Sequence, residues 1–248
     1  MKNLLVLILT LIAPWMHADI LFTTGLNAQL WSTEASGYVD DGVKLDSSGL
    51  NIEKESSFYG SVFFEHPIPM IPNLKLANTN LSLSGNGKAA FRFQDIDFEG
   101  ATDTSLDLSH TDLTLYWGIP LPLPYLDINF GLSARIFDGG AEVKGLVDDQ
   151  LTVQNAEFDT VLPMLYGKVI VGSLFGFYGY TEINYIGYDG NTLSDATVAF
   201  GYELPIPILD VNFEGGYRQL NAKTNIDDFD ADINIKGPFA GIHLAFGF

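Results

Sequence analysis

His110 lies between two acids, Asp107 and Asp112, and a histidine beside carboxylates can shuttle a proton or activate a water molecule. Such a cluster would serve a barrel enzyme acting at its outer rim, provided that His110 and Asp112 converge beneath an open cleft. The other charges carried inside apolar-alternating segments are Glu65, Asp127, Arg135, Lys168, Glu182, Glu203, Asp210, Glu214 and Arg218. Ion pairing explains these more simply than catalysis, because a charge withdrawn from water must be paired or neutralised. The chain has no Ser-centred nucleophile elbow, no phosphate loop and no histidine pair at metal spacing. No catalytic, cofactor or metal residue is assigned, and the expectation is a protein that is not an enzyme.

Six residues form the expected polar network of the interior: Asp112, Arg135, Lys168, Glu182, Glu214 and Arg218. Lys168 and Glu182 flank a compact turn at Gly172 to Gly176, which should bring them together across adjacent strands. Arg135 and Arg218 lie farther up their strands, with Glu214 and Asp112 as candidate partners. Each arginine stands eight residues beyond an Asp in a repeated segment, Leu126-Asp127-Ile128-Asn129-Phe130 and Leu209-Asp210-Val211-Asn212-Phe213. The even offset keeps Asp, Asn and Arg on one face of a strand. Glu65, Asp127, Glu203 and Asp210 adjoin short turns and should be wet. His243, opposite glycines, reads as a packed residue of the interior.

Strands must position these groups. Ile242, Leu244, Phe246 and Phe248 alternate with Gly241, His243, Ala245 and Gly247 up to an aromatic carboxy-terminus. An apolar outer face over a small-residue inner face suits lipid outside and a narrow bore inside. Closing the last strand on the first leaves no unpaired backbone in lipid. A secreted β-sandwich is the plainer rival. Period-two alternation recurs in about ten segments, the clearest being Leu126 to Phe137. The third, from Leu74, slips phase between Leu76 and Leu81, which predicts a bulge or an early strand end. Compact Pro- or Gly-rich turns alternate with mostly longer acidic connections, as in outer-membrane barrels. The reading is an all-β closed antiparallel transmembrane β-barrel of about ten strands, with eight or twelve as alternatives.

Met1-Lys2-Asn3 followed by the apolar run Leu4 to Ala13 predicts a signal peptide over residues 1–18 and one barrel domain over 19–248. The expected location is the cell outer membrane. A net charge of −19 argues against a nucleic-acid partner. Acids gather at Asp40-Asp41, Asp95 to Glu99, Asp148-Asp149, Asp189 and Asp227 to Asp232. They read as solvated loops, or as divalent-cation sites bridging to phosphorylated outer-leaflet lipid. No other cofactor is expected. Expected partners are outer-membrane lipid, lipopolysaccharide and the barrel-assembly machinery, which would read the last strand ending in Phe248. A barrel of ten strands has an interior crowded by Tyr59, Phe63, Tyr116, Phe137, Tyr166, Tyr178 and Tyr180. The expected role is structural or interactive, with a narrow small-solute channel along Gly- and Ser-lined inner positions as the alternative.

Several blocks resemble a known family: His66-Pro67-Ile68-Pro69-Met70-Ile71-Pro72-Asn73, Leu108 to Tyr116, Pro163 to Lys168, Glu182 to Tyr188 and Lys236 to Gly241. They are similar to small outer-membrane β-barrel proteins of Gram-negative bacteria whose activity is uncharacterised. The resemblance implies an exported single barrel and supplies no site residues.

Overall fold

The computed structural model describes residues 22–39, 42–68, 70–93, 96–147, 150–172, 175–206, 209–226 and 229–247, and the expected signal peptide falls outside them. The strands are β1 (Thr23–Val39), β2 (Val43–Lys44), β3 (Glu55–Glu65), β4 (Asn73–Asn80), β5 (Ser82–Phe93), β6 (Ile96–Asp107) and β7 (His110–Gly118). They continue with β8 (Leu126–Val147), β9 (Gln150–Gly172), β10 (Phe177–Tyr188), β11 (Asn191–Leu204), β12 (Leu209–Ile226) and β13 (Phe229–Gly247). Neighbours pair antiparallel around a cylinder that closes where β13 meets β1 and where β8 meets β9.

Two wall strands are interrupted without losing register. Thr79 faces His110 and Ser82 faces Asp107, so β4–β5 and β6–β7 run on as single strands. At the gap Leu108 N donates to Leu81 O (2.8 Å) and Leu81 N donates to Ser109 Oγ (3.0 Å). Counting each of these pairs once and setting aside the two-residue β2 leaves a closed ten-strand barrel.

The phase change near Leu81 is not a bulge: β4 ends at Asn80, the alternative that the sequence left open, and β5 resumes at Ser82 in the same register. Ala77, Thr79, Leu81 and Leu83 all point inward in one unbroken alternation. What changes is which side is apolar. Near the end carrying the chain termini, outward residues are apolar: Leu26 and Leu30 on β1, Leu113 and Leu115 on β7, Phe213 and Tyr217 on β12. Farther along the same strands the outward positions become Ser32 and Glu34, Asp103 and Ser105, Gln219 and Asn221. There the inward positions turn apolar instead, with Leu81, Leu83, Phe98, Phe137, Val143, Leu220 and Ile235 packed in one core. The strands outrun the ~9–11 residues a bilayer needs; β8 and β9 have 22 and 23.

This length corrects the expectation of long acidic loops. At the far end Phe93 and Ile96, Val147 and Gln150, Tyr188 and Asn191, and Ile226 and Phe229 end and begin consecutive strands. Asp189 and Gly190, with φ of 48° and 81°, make the tight hairpin turn whose backbone twist matches the flanking strands. The segment from Gly42 to Lys54 is the longer connection, and its Leu45 and Leu50 are buried in the far-end core. Within it Ser48 donates from both N and Oγ to Asp46, which holds that carboxyl below its usual range.

Candidate functional site in the barrel interior

The interior polar groups lie between the termini-bearing end and the far-end core. Asp112 and Arg135 face each other across β7 and β8. Arg135 Nε and Nη2 donate to the two Asp112 oxygens at 2.8 and 2.7 Å. Arg135 Nη2 also reaches Asp195 Oδ2 at 2.8 Å, although no solvent touches the arginine side chain. Arg218 grips the same Asp195 with Nε and Nη2, at 2.9 and 2.6 Å. The two arginines of the repeated segments thus converge on one carboxylate supplied by β11. Arg218 further donates to Thr79 Oγ1 (3.2 Å), and its guanidinium lies over the Trp31 and Tyr59 rings. Paired planar donors and stacking suit arginine for buried ion pairs.

Nearer the termini, Lys168 stands opposite Glu182 in the β9–β10 register, with Nζ 3.6 Å from Oε2. The tighter partner of Glu182 is Lys75 Nζ on β4, at 2.5 Å. Lys168 instead lies over the Tyr180 ring, 4.5 Å from its centroid. Glu214 does not bond to Arg218. Its oxygens accept from four neutral donors, Asn27 Nδ2, Gln29 Nε2, Tyr178 OH and Tyr180 OH. Four neutral donors thus satisfy this carboxylate's oxygens, with no base among its hydrogen-bond partners.

Asp195, Lys75 and Thr79 are the residues that sequence reasoning missed. Parity had placed them: Val198, Phe200 and Tyr202 face out, so Asp195 must face in, and Lys75 lies between outward Leu74 and Leu76. Arg218 therefore has Asp195 in place of the expected Glu214 or Asp112.

These side chains line a partly open cavity of about 280 Å³, with Thr23, Glu65, Asp210 and Ala245 toward the termini and Arg218, Asn184 and Asp195 deepest. Inward glycines do not leave a clear bore. A Cβ at Gly25 would lie 2.5 Å from the Phe63 ring, and one at Gly201 would lie 2.3 Å from Tyr178. The rings occupy the space that the missing side chains release.

His110 points inward like Asp112, on the same strand face, but it lies among far-end core residues and does not line this cavity. Its Nδ1 is 2.8 Å from Leu108 O and its ring packs against Phe137. Among the described residues no three His, Asp or Glu converge as metal ligands. Asp40, Asp41, Asp95, Asp148, Asp149, Asp227 and Asp228 lie outside those residues, as does Phe248.

No protein-family model matches the chain, and no curated protein matches it in sequence. Solved structures do match it. The outer membrane protease OmpT from Escherichia coli superposes with a TM-score of 0.51 at 13% identity, over 93% of this chain and 97% of that one. The fold is that of a bacterial outer-membrane β-barrel. Ail, the attachment invasion locus protein of Yersinia pestis, matches at a TM-score of 0.35 and 11% identity, covering 92% of this chain and 99% of its own. The toluene transporter TodX of P. putida matches at 0.32 and 8%, covering 95% and 94%.

Proposed function

We propose that the protein resides in the outer membrane as a closed barrel with a structural or interaction role, and that it is neither a channel nor an enzyme. The observation that carries this reading is the far-end core. Leu45 and Leu50 from the connecting segment pack with Leu81, Leu83, Phe98, Phe137 and Val143 across the bore. A dry apolar layer of this kind offers a hydrated solute no partner for the water it must shed. The belt of outward Leu26, Leu30, Phe130, Leu132, Phe200 and Phe213 meets lipid, since soluble proteins rarely expose apolar patches so extensive. Outer-membrane lipid, including lipopolysaccharide, surrounds it. The barrel-assembly machinery reads the last strand ending in Phe248, after a signal peptide over 1–18 is removed. The termini-bearing end then faces the periplasm and the far end faces outward. Membership in the family of small Gram-negative barrels suggested by the sequence blocks belongs to this reading.

The narrow-channel alternative needs a continuous wet path, and the enzyme alternative needs an open cleft over His110 and Asp112. Asp112 borders the cavity while His110 is buried beside Phe137, so the pair shares no solvent-facing surface. Planar-bilayer recording on pure folded protein tests the reading: no steady current is expected. A reproducible conductance from the wild-type chain would overturn it.

A further inference from the structure

A closed barrel should have no free edge, yet this one has a stretch of edge at the far end. β8 and β9 pair without a break from Leu126 with Val171 to Val147 with Gln150. On its other side β9 pairs β10 from Gly172 with Tyr178 only as far as Leu165 with Tyr185. The β10–β11 hairpin then turns at Asp189-Gly190 while β9 continues. Among the described residues no strand pairs with the β10 side of β9 beyond Leu165.

Parity assigns the backbone groups on that side. Gly172 N donates to Tyr125 O, toward β8, so even-numbered amides of β9 face β8 and odd-numbered ones face away from it. Pro163 is odd, and its missing N–H falls where the β10 ladder stops, leaving the β8 ladder intact. Beyond it the N–H and C=O groups of Leu151, Val153, Asn155, Glu157, Asp159 and Val161 face the open side, along about 33 Å of strand at the usual rise. The same six side chains point outward. Leu151 and Val161 are 76% and 58% exposed, and Glu157 and Asp159 are exposed between them. Across the pair, Asp138 stands opposite Asp159 and Glu142 opposite Asn155.

We propose that this edge of β9 is a docking site that takes an extended, basic segment of a partner protein by β-strand addition. Unpaired main-chain groups supply affinity and alternate side chains supply specificity in that mode of recognition. Charge selects the occupant: carboxylates at Asp138, Glu157 and Asp159 surround the edge, while Glu142 and the neighbouring base Lys144 pair with each other and leave the balance acidic. A second copy of this chain would set the acidic face against itself. Of the usual guards the edge carries only the acids Glu157 and Asp159 and, at its inner limit, Pro163; the six outward positions hold no lysine and the register holds no bulge. The inference rests on the reading of the far end as the face presented outside the cell.

The test uses the full barrel in lipid nanodiscs, with an eight-residue alternating Thr–Lys peptide and its Thr–Glu counterpart as probes. Hydrogen exchange at the odd-numbered amides of residues 151–161 should slow by about tenfold or more with the Thr–Lys peptide and stay unchanged with Thr–Glu. Asn155→Pro removes one edge N–H while sparing the β8 ladder, so it should abolish the protection in a barrel that still folds. Glu157→Lys with Asp159→Lys should transfer the preference to Thr–Glu. Absence of protection, equal protection by both peptides, or full binding by Asn155→Pro would each overturn the proposal and leave an edge guarded by its acids alone. A steady bilayer current would sink the closed-bore reading without touching this result.

Discussion

The two halves of the barrel are built on opposite plans. Toward the termini the wall is apolar outside and the interior holds arginines, lysines, carboxylates and tyrosines around a cavity. Toward the far end the outward face carries Glu34, Asp103, Ser105 and Asn221, and the interior is a packed, largely apolar core. Each half follows from its solvent. Lipid rewards apolar atoms outside and forces the polar ones to find each other within. Water reverses the preference where the strands run past the apolar belt. One continuous alternation serves both, because the strand keeps its parity while the residue types exchange sides.

The largest expected effect tests the polar half. Asp195→Ala strands Arg135 and Arg218 without their shared carboxylate. Removing one partner from a buried ion network costs about 3–5 kcal/mol. Urea unfolding of the refolded barrel in vesicles should show that loss, and a loss below about 1 kcal/mol would mean that water reaches the arginines.

The next concerns the far-end core. Leu81→Ala, at a fully buried position, should cost about 2–5 kcal/mol. Protease digestion should show the segment 42–54 becoming cleavable while the lower wall stays protected. Simultaneous collapse of both halves would mean that they form one cooperative unit.

A third prediction contrasts the two outer faces. Leu132→Arg, on the exposed apolar belt, should destabilise by about 2–4 kcal/mol in a bilayer. Ser105→Arg, outward and beyond the belt, should fall within about 0.5 kcal/mol. Equal costs at the two sites would erase the boundary between the halves. The smallest effect belongs to the surface pair Lys54–Glu34, both more than half exposed, where Lys54→Ala should cost under about 1 kcal/mol and less at high salt.

The bilayer half was the legible half. Leu126 to Phe137 and the last strand alternate cleanly because lipid demands one residue class on one side. The turn at 172–176 placed Lys168 opposite Glu182. Pairings across the bore were harder, since Lys75 reaches Glu182 and Arg135 reaches Asp195 through three dimensions, with no short turn to set their approach. The far half misled for a simple reason. Leu76 outward and Leu81 inward look like a slipped strand when the apolar side is assumed constant, and the change of solvent at that level is invisible in a single strand.

The contrast can be measured directly because the chain has no cysteine of its own. Ser61→Cys lines the cavity and Leu83→Cys lies in the far-end core. In nanodiscs a water-soluble maleimide should label Ser61→Cys readily and leave Leu83→Cys unmodified until the protein is unfolded. Labelling of Leu83→Cys at a rate close to that of Ser61→Cys would show that water fills the far half of the bore, contradicting a barrel closed by a dry core.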